Sequence, residues 1–145
     1  PNAGFNAEAT YILGGQIKGQ PVELYMVYPE GNHITVSEQY PFLQIGETKY
    51  GKPILDRIIR KDTPHEIAMR CALVSMDSTM RSNATVGPPI ELLYYAADTL
   101  SAPAQYCTFE ENDDYLVSLR RAWDENIKQA FDQLPSLEEV FASGE

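Results

Sequence analysis

From Thr63 onward the chain carries apolar residues around most of a 3.6-residue period. Ile67, Met69, Leu73, Val74 and Met76 spread over a wide face, and Glu66, Arg70, Asp77 and Arg81 line one narrow polar stripe. Within that stripe Glu66 to Arg70 and Asp77 to Arg81 are spaced for i,i+4 pairs. Thr63 can cap this helix, Pro64 suits its first position, and Glu66 three residues after Thr63 completes a capping box. So wide an apolar surface needs cover on more than one side. The pattern predicts an interior helix, and that helix is expected at the centre of the fold.

The remaining pattern divides into strands and helices around it. ATYILGGQI (9–17) and VELYMVY (22–28) read as strands, Ile34-Thr35-Val36 as a short third, and PFLQI (41–45) as a fourth. Lys18 to Pro21 and Pro29 to Asn32 supply the turns, so the opening third predicts an antiparallel meander. A helix starts at Pro53, shows Ile54, Leu55, Ile58 and Ile59 on one face, and closes at Arg60-Lys61-Asp62. After the central helix come a strand at IELLYY (90–95) and another at residues 105–109. Asn112 is the expected cap of a last helix whose stripe is Leu116, Leu119, Trp123, Ile127, Phe131 and Leu134, ended by Pro135. Residues 1–8 read as a loop or severed end, 9–135 as the folded part, and 136–145 as an acidic, frayed tail.

VELYMVY and IELLYY lack a clean inside/outside alternation, which predicts a sheet covered on both faces. Helices can cover one face, and the other wants a further layer, most simply a second sheet. Few strands remain to build it. The mismatch points to a missing segment or a tight partner.

Composition narrows the function classes. The 145 residues suffice for one domain burying about 70% of its unfolded surface. A net charge of −10 without a basic patch argues against binding a phosphate backbone. Two cysteines without zinc spacing suggest reduced thiols and a cytosolic setting, and no apolar run reaches the length of a membrane span. His33 and His65 have no Cys or His at ligand spacing, so no metal or other cofactor is expected. Gly46-Glu47-Thr48-Lys49 sits between a strand and a helix but lacks the glycines and Gly-Lys-Ser/Thr ending of a nucleotide loop.

The most unusual feature is the polar run Asp77, Ser78, Thr79, Arg81, Ser82, Asn83 and Thr85. Such hydroxyls and amides at a helix end could position a water or a proton beside a nucleophile. The simpler reading, favoured by composition alone, is a helix end whose carbonyls are tied down by those side chains.

At YILGGQI (11–17), YPEGN (28–32), LQIGETKYGKPILDRII (43–59) and SMDSTMRSNATVGPPIELLYY (75–95) the chain resembles the bacterial proteasome-related family called Anbu, the ancestral beta subunit. The similarity runs from about Phe5 to Pro135. It implies an α+β fold of the N-terminal-nucleophile hydrolase type, an αββα sandwich of two facing antiparallel sheets, of which this chain would hold the later part. In that family the nucleophile is a threonine at the mature N-terminus, and the resemblance implies that the segment bearing it is absent here. Proteasomal subunits support the threonine with an Asp-x-x-Ser-Gly motif and a Gly-Ser-Gly turn. The matching positions are Ser82-Asn83-Ala84-Thr85 and Gly46-Glu47-Thr48. Ser82 stands where aspartate is usual, and Thr85 and Glu47 where serine is usual; Asp77 is the alternative acid.

Two functions follow as expectations. One is the C-terminal part of a threonine peptidase or amidohydrolase, inactive without its nucleophile, with Ser82, Asn83, Thr85, Asp77, Gly46 and Glu47 as accessory residues. The other is a non-catalytic subunit of a proteasome-like ring or open helical stack. The expected partners are further copies of the chain, the missing N-terminal segment and a peptide or amide substrate, with no nucleic acid and no membrane.

Overall fold

An 18-residue helix, His65–Ser82, occupies the middle of the chain and the middle of its packing. The computed structural model describes residues 8–101 and 105–142. The expected loop at 1–8 lies outside the described residues except for Glu8, as do the last three residues of the tail.

In chain order the elements are β1 (Tyr11–Gln16), β2 (Val22–Val27), β3 (His33–Thr35), α1 (Lys52–Ile58), α2 (His65–Ser82), β4 (Ile90–Tyr94), β5 (Gln105–Phe109), α3 (Asp114–Asp132) and α4 (Glu138–Ala142). The chain is therefore mixed α and β with antiparallel strands. The described residues form two compact units, divided between Glu111 and Asn112.

In the first unit β1, β2 and β3 make one antiparallel sheet in that order, and β4 and β5 make a second. The described strands thus divide between two small antiparallel sheets. Residues 41–45 are not a strand; they run as irregular, mostly half-buried chain into the turn at Gly46. Neither sheet is covered on both faces by the described residues. In β4, Ile90 is buried and Leu92 and Tyr94 are half-buried, whereas Glu91 and Leu93 are exposed. The register places Leu93 opposite Tyr106, also exposed. In the meander, Ile12, Val22 and Ile34 share one face through the pairs Ile12↔Met26, Gln16↔Val22 and Met26↔Ile34, and all three are exposed.

The core sits between α1 and α2, where Leu55, Ile59 and Cys71 are buried and Phe42, Ile54 and Ala68 pack against them. It is small: among the described residues no large side chain is fully buried. The middle of α2, from Cys71 to Thr79, is enclosed as an interior helix should be, with Cys71, Leu73, Val74, Ser75, Asp77 and Thr79 all buried. Asp77 therefore does not lie on a solvent stripe, although Glu66 and Arg70 do form their ion pair.

The helix start differs from the capping-box expectation. Pro64 is the N-cap and no side chain caps the helix. Thr63 Oγ1 instead accepts from Arg60 N at 2.7 Å, closing the turn that follows α1. That earlier helix ends at Ile58 rather than Asp62, and Arg60 Nη1 donates to the carbonyls of Asp56 and Ile59 at 3.0 and 2.8 Å.

In the second unit Asp113, not Asn112, caps α3, its Oδ1 accepting from Tyr115 N at 2.9 Å and Leu116 N at 3.3 Å. Asn112 takes the left-handed conformation just before it, with φ +64°. The apolar stripe of α3 ends bare: Ile127, Phe131 and Leu134 are exposed. The tail is not frayed throughout, since α4 forms within it. No described helix is long and apolar enough to cross a membrane.

Candidate functional site

The close approach of α1 to α2 sets the geometry of the site. Gly51 is buried at the start of α1, and a Cβ there would sit 2.1 Å from Ser75 Oγ and 3.1 Å from Thr79 Oγ1. Thr79 Oγ1 donates to Ser75 O at 2.8 Å, which keeps the hydroxyl satisfied against its own helix. Only a residue without a side chain lets the two elements meet so closely. The turn that precedes α1 is thereby held beside the end of α2.

Gly46 makes that turn with φ +80°, a conformation that side chains disfavour. Glu47 follows it, half-buried, with Oε1 accepting from Lys49 N at 3.0 Å and Oε2 accepting from Asn83 Nδ2 at 3.3 Å. Asn83 terminates α2 in an extended conformation, its own N–H still donating to Thr79 O. Asn83 Oδ1 then accepts from Thr85 N at 2.9 Å and from Thr85 Oγ1 at 2.7 Å. A continuous hydrogen-bonded line runs Glu47–Asn83–Thr85.

The free hydrogen-bonding capacity of that line is mostly acceptor. Thr85 gives its single hydroxyl hydrogen to Asn83, so its remaining capacity is to accept. An ionised Glu47 can only accept as well. Asn83 Nδ2 keeps one further hydrogen to donate, so the cluster offers mostly acceptors, with one donor, to an ammonium group or a water. The structure brings Gly46, Glu47, Asn83 and Thr85 together. Ser82 is exposed on the last residue of α2, and Asp77 is buried six positions before Asn83, roughly 9 Å back along the helix axis.

Two further features escaped the sequence reading. The hydroxyls of Ser75 and Thr79 face Gly51, a contact signalled only by small residues at i,i+4. Gln16 joins the end of β1 to the chain after β4. Its Nε2 donates to Asp98 Oδ1 at 2.7 Å and Gln20 O at 2.8 Å, and its Oε1 accepts from Asp98 N at 2.7 Å and Tyr95 OH at 3.0 Å. Leu100 N donates to the same Tyr95 hydroxyl at 3.2 Å. Asp98 and Leu100 both hold positive φ, +65° and +46°.

The two histidines serve packing: His65 stacks on Tyr94 with ring centroids 4.4 Å apart, and His33 meets Tyr25 edge-on at 5.4 Å. No group of three or more His, Cys, Asp and Glu among the described residues could hold a metal ion. Burial pushes the Cys71 thiol up, and the hydrogen bond with Glu23, followed by burial, pushes the Tyr25 phenol up. Cys107, like Cys71, is a free thiol, but it is exposed.

No family model matches the chain, and no similar curated protein was found. Solved structures do match. Anbu (ancestral beta-subunit) from Yersinia bercovieri is 45% identical with a TM-score of 0.84, over 90% of this chain and 54% of that one. Anbu from Pseudomonas aeruginosa, described as a helical assembly of the Anbu complex, is 50% identical with a TM-score of 0.82, over 88% and 52%. Anbu from Hyphomicrobium sp. strain MC1 is 43% identical with a TM-score of 0.84, over 89% and 55%. The chain spans about half the length of the solved structures that it matches.

Proposed function

The chain belongs to the Anbu (ancestral beta-subunit) family, and from that premise we propose that it is the later part of a proteasome-type N-terminal-nucleophile hydrolase. The fold would be an αββα sandwich completed by polypeptide other than these residues, and the attacking threonine would come from there. Its hydroxyl attacks the carbonyl carbon of a peptide or amide bond, its α-amine takes the hydroxyl proton, and a backbone N–H stabilises the oxyanion. Glu47, Asn83 and Thr85 hold the amine and the hydrolytic water, Gly46 shapes the turn that presents Glu47, and Ser82 precedes Asn83 in the chain, while Asp77 stays buried farther back in α2.

The observation that carries this reading is the Glu47–Asn83–Thr85 line, whose free capacity is mostly acceptor, one Asn83 Nδ2 hydrogen aside, and so suits an amine. Glu47 also sets a limit on the chemistry. A carboxylate near an α-amine favours the protonated form, which cannot serve as a base. The enzyme is accordingly expected to be slow near neutral pH, where an α-amine of ordinary pKa about 7.7–8.0 is already mostly charged. Hydrolysis of fluorogenic peptide amides by the full-length protein tests the reading. It requires Asn83→Ala and Thr85→Ala to lower kcat; turnover unaffected by both changes contradicts the assignment.

A second reading, a non-catalytic subunit of a ring or helical stack, is favoured by the bare apolar faces of both sheets and of the C-terminal helices. Self-assembly belongs to both readings, and catalysis separates them. The free thiols support a reducing, cytoplasmic setting.

A further inference from the structure

Gly51 is buried at the start of α1, and its backbone, φ −90° and ψ −36°, suits any residue. Glycine is therefore not needed there for a dihedral angle, as it is at Gly46, and in a helix it costs backbone entropy. What the position excludes is volume. A Cβ would lie 2.1 Å from Ser75 Oγ, 3.1 Å from Ser75 O and 3.1 Å from Thr79 Oγ1. Ser75 and Thr79 are buried in α2, so room for an added methyl comes from α1 backing away.

This contact lies close to both ends of the Glu47–Asn83 hydrogen bond. On the α1 side Lys52 N donates to Thr48 O at 3.0 Å and closes the turn 48–52. Lys49 N, inside that turn, donates to Glu47 Oε1 at 3.0 Å. On the α2 side Thr79, whose hydroxyl meets Gly51, accepts from Asn83 N on its carbonyl at 2.8 Å. Asn83 Nδ2 and Glu47 Oε2 stand 3.3 Å apart, at the long limit for such a bond, and a small retreat of α1 opens it.

We propose that Gly51 is a positioning residue: by letting α1 meet α2 with no side chain between them, it sets the Glu47 carboxylate against Asn83 and beside the amine that the site holds. The presence of that amine rests on the hydrolase reading above; the setting of Glu47 rests on the geometry alone. A carboxylate held close keeps an amine charged, and one moved away releases it as a base. The other charged groups on the elements packed here are Lys49, Lys52 held by Asp56, and Asp77 and Arg81 of α2. All four stay unchanged in the variants below.

Two measurements on the full-length protein test it. The first is the pH profile of kcat for peptide-amide hydrolysis, whose acid limb reports the amine in the enzyme–substrate complex. Glu47→Gln is expected to move that limb down by about one unit or more, and Gly51→Ala by about half a unit or more in the same direction. Gly51→Ala with Ser75→Gly should fall between Gly51→Ala and the unmodified protein; it replaces the single variant in both measurements if that does not fold. Turnover lowered by Gly51→Ala with the limb unmoved is what a merely structural glycine gives, and overturns the proposal. The second is a urea-unfolding cycle of Gly51→Ala and Asn83→Ala, which needs no turnover. With the Asn83 bond already gone, Gly51→Ala should lower the folding constant at least about threefold less than it does in the unmodified protein. Equal effects in the two backgrounds overturn the proposal. No turnover, or a limb that Glu47→Gln leaves in place, sinks the hydrolase reading, and the cycle alone then decides whether Gly51 sets Glu47.

Discussion

Asn83 and Glu47 are 36 residues apart in the chain, yet Asn83 Nδ2 lies 3.3 Å from Glu47 Oε2. This hydrogen bond links the end of α2 to the turn ahead of α1 and fixes where Thr85 can go. Replacing Asn83 by Ala removes the donor to Glu47 and the acceptor for Thr85 together. Hydrogen bonds of this partly exposed kind are worth about 0.5–1.5 kcal/mol each. Asn83→Ala is therefore expected to destabilise the full-length protein by roughly 1–2 kcal/mol in urea unfolding, with the fold retained.

Gly51 is the second lever. Its backbone, φ −90° and ψ −36°, suits any residue, so Gly51→Ala meets no dihedral strain. The added methyl meets Ser75 Oγ at 2.1 Å, and overpacking of this kind costs about 1–3 kcal/mol. Adding Ser75→Gly removes the Oγ but leaves Ser75 O 3.1 Å away, so rescue should be partial. A double-mutant cycle with a coupling of at least about 0.5 kcal/mol would verify the contact; strict additivity would refute it.

Leu100 holds φ +46°, a left-handed conformation that a branched side chain adopts at a cost of about 1–2 kcal/mol. Glycine has no such penalty but adds freedom to the unfolded chain, so Leu100→Gly is expected to be neutral or stabilising by up to about 1 kcal/mol. Gln16→Leu should do the opposite to the same segment. Without its bonds to Asp98, the amide of residue 98 should exchange with deuterium at least about tenfold faster, since tenfold corresponds to 1.4 kcal/mol.

The buried thiol gives a pH prediction. Cys71 has its pKa raised in the folded state, so its contribution is fully present below the unfolded thiol value of about 8.5. Above that value the unfolded chain loses the proton first, and stability declines as pH rises toward the folded pKa. Urea midpoints measured from pH 7 to 10 should fall more steeply for the unmodified protein than for Cys71→Ala. Parallel slopes would show that Cys71 is not the group responsible. Cys107 is exposed and serves as the internal comparison.

How much of this could be read in advance depends on the kind of signal. The buried half of α2 was legible because nearly every position from Cys71 to Thr79 is apolar or small. Its start was misread because the Thr63 hydroxyl had two competing uses, and the short turn from Arg60 claimed it. PFLQI has strand composition but finds no partner among the described strands, and β propensity without a partner yields irregular chain. Asn112 and Asp113 are both good caps; the positive φ of Asn112 left the capping position to Asp113. At the site, Gly46, Glu47, Asn83 and Thr85 are legible only through the family resemblance, and the hydrogen bonds that join Glu47, Asn83 and Thr85 carry no sequence signal of their own. Asp77, chosen as an alternative acid from its place in the polar run, is sequestered in the helix interior. Gln16 carried no sequence signal, since its partners lie 79 and 82 residues away.

The central claim is that a threonine outside these 145 residues does the bond-breaking, with Glu47, Asn83 and Thr85 arranged around its amine. The most direct measurement is intact-mass and tandem mass spectrometry of the full-length protein after treatment with a peptide epoxyketone, which closes a ring on the hydroxyl and α-amine of a terminal threonine. The account predicts one adduct per subunit on such a threonine, formed more slowly in Asn83→Ala. No adduct, or one attached within these 145 residues, would contradict it.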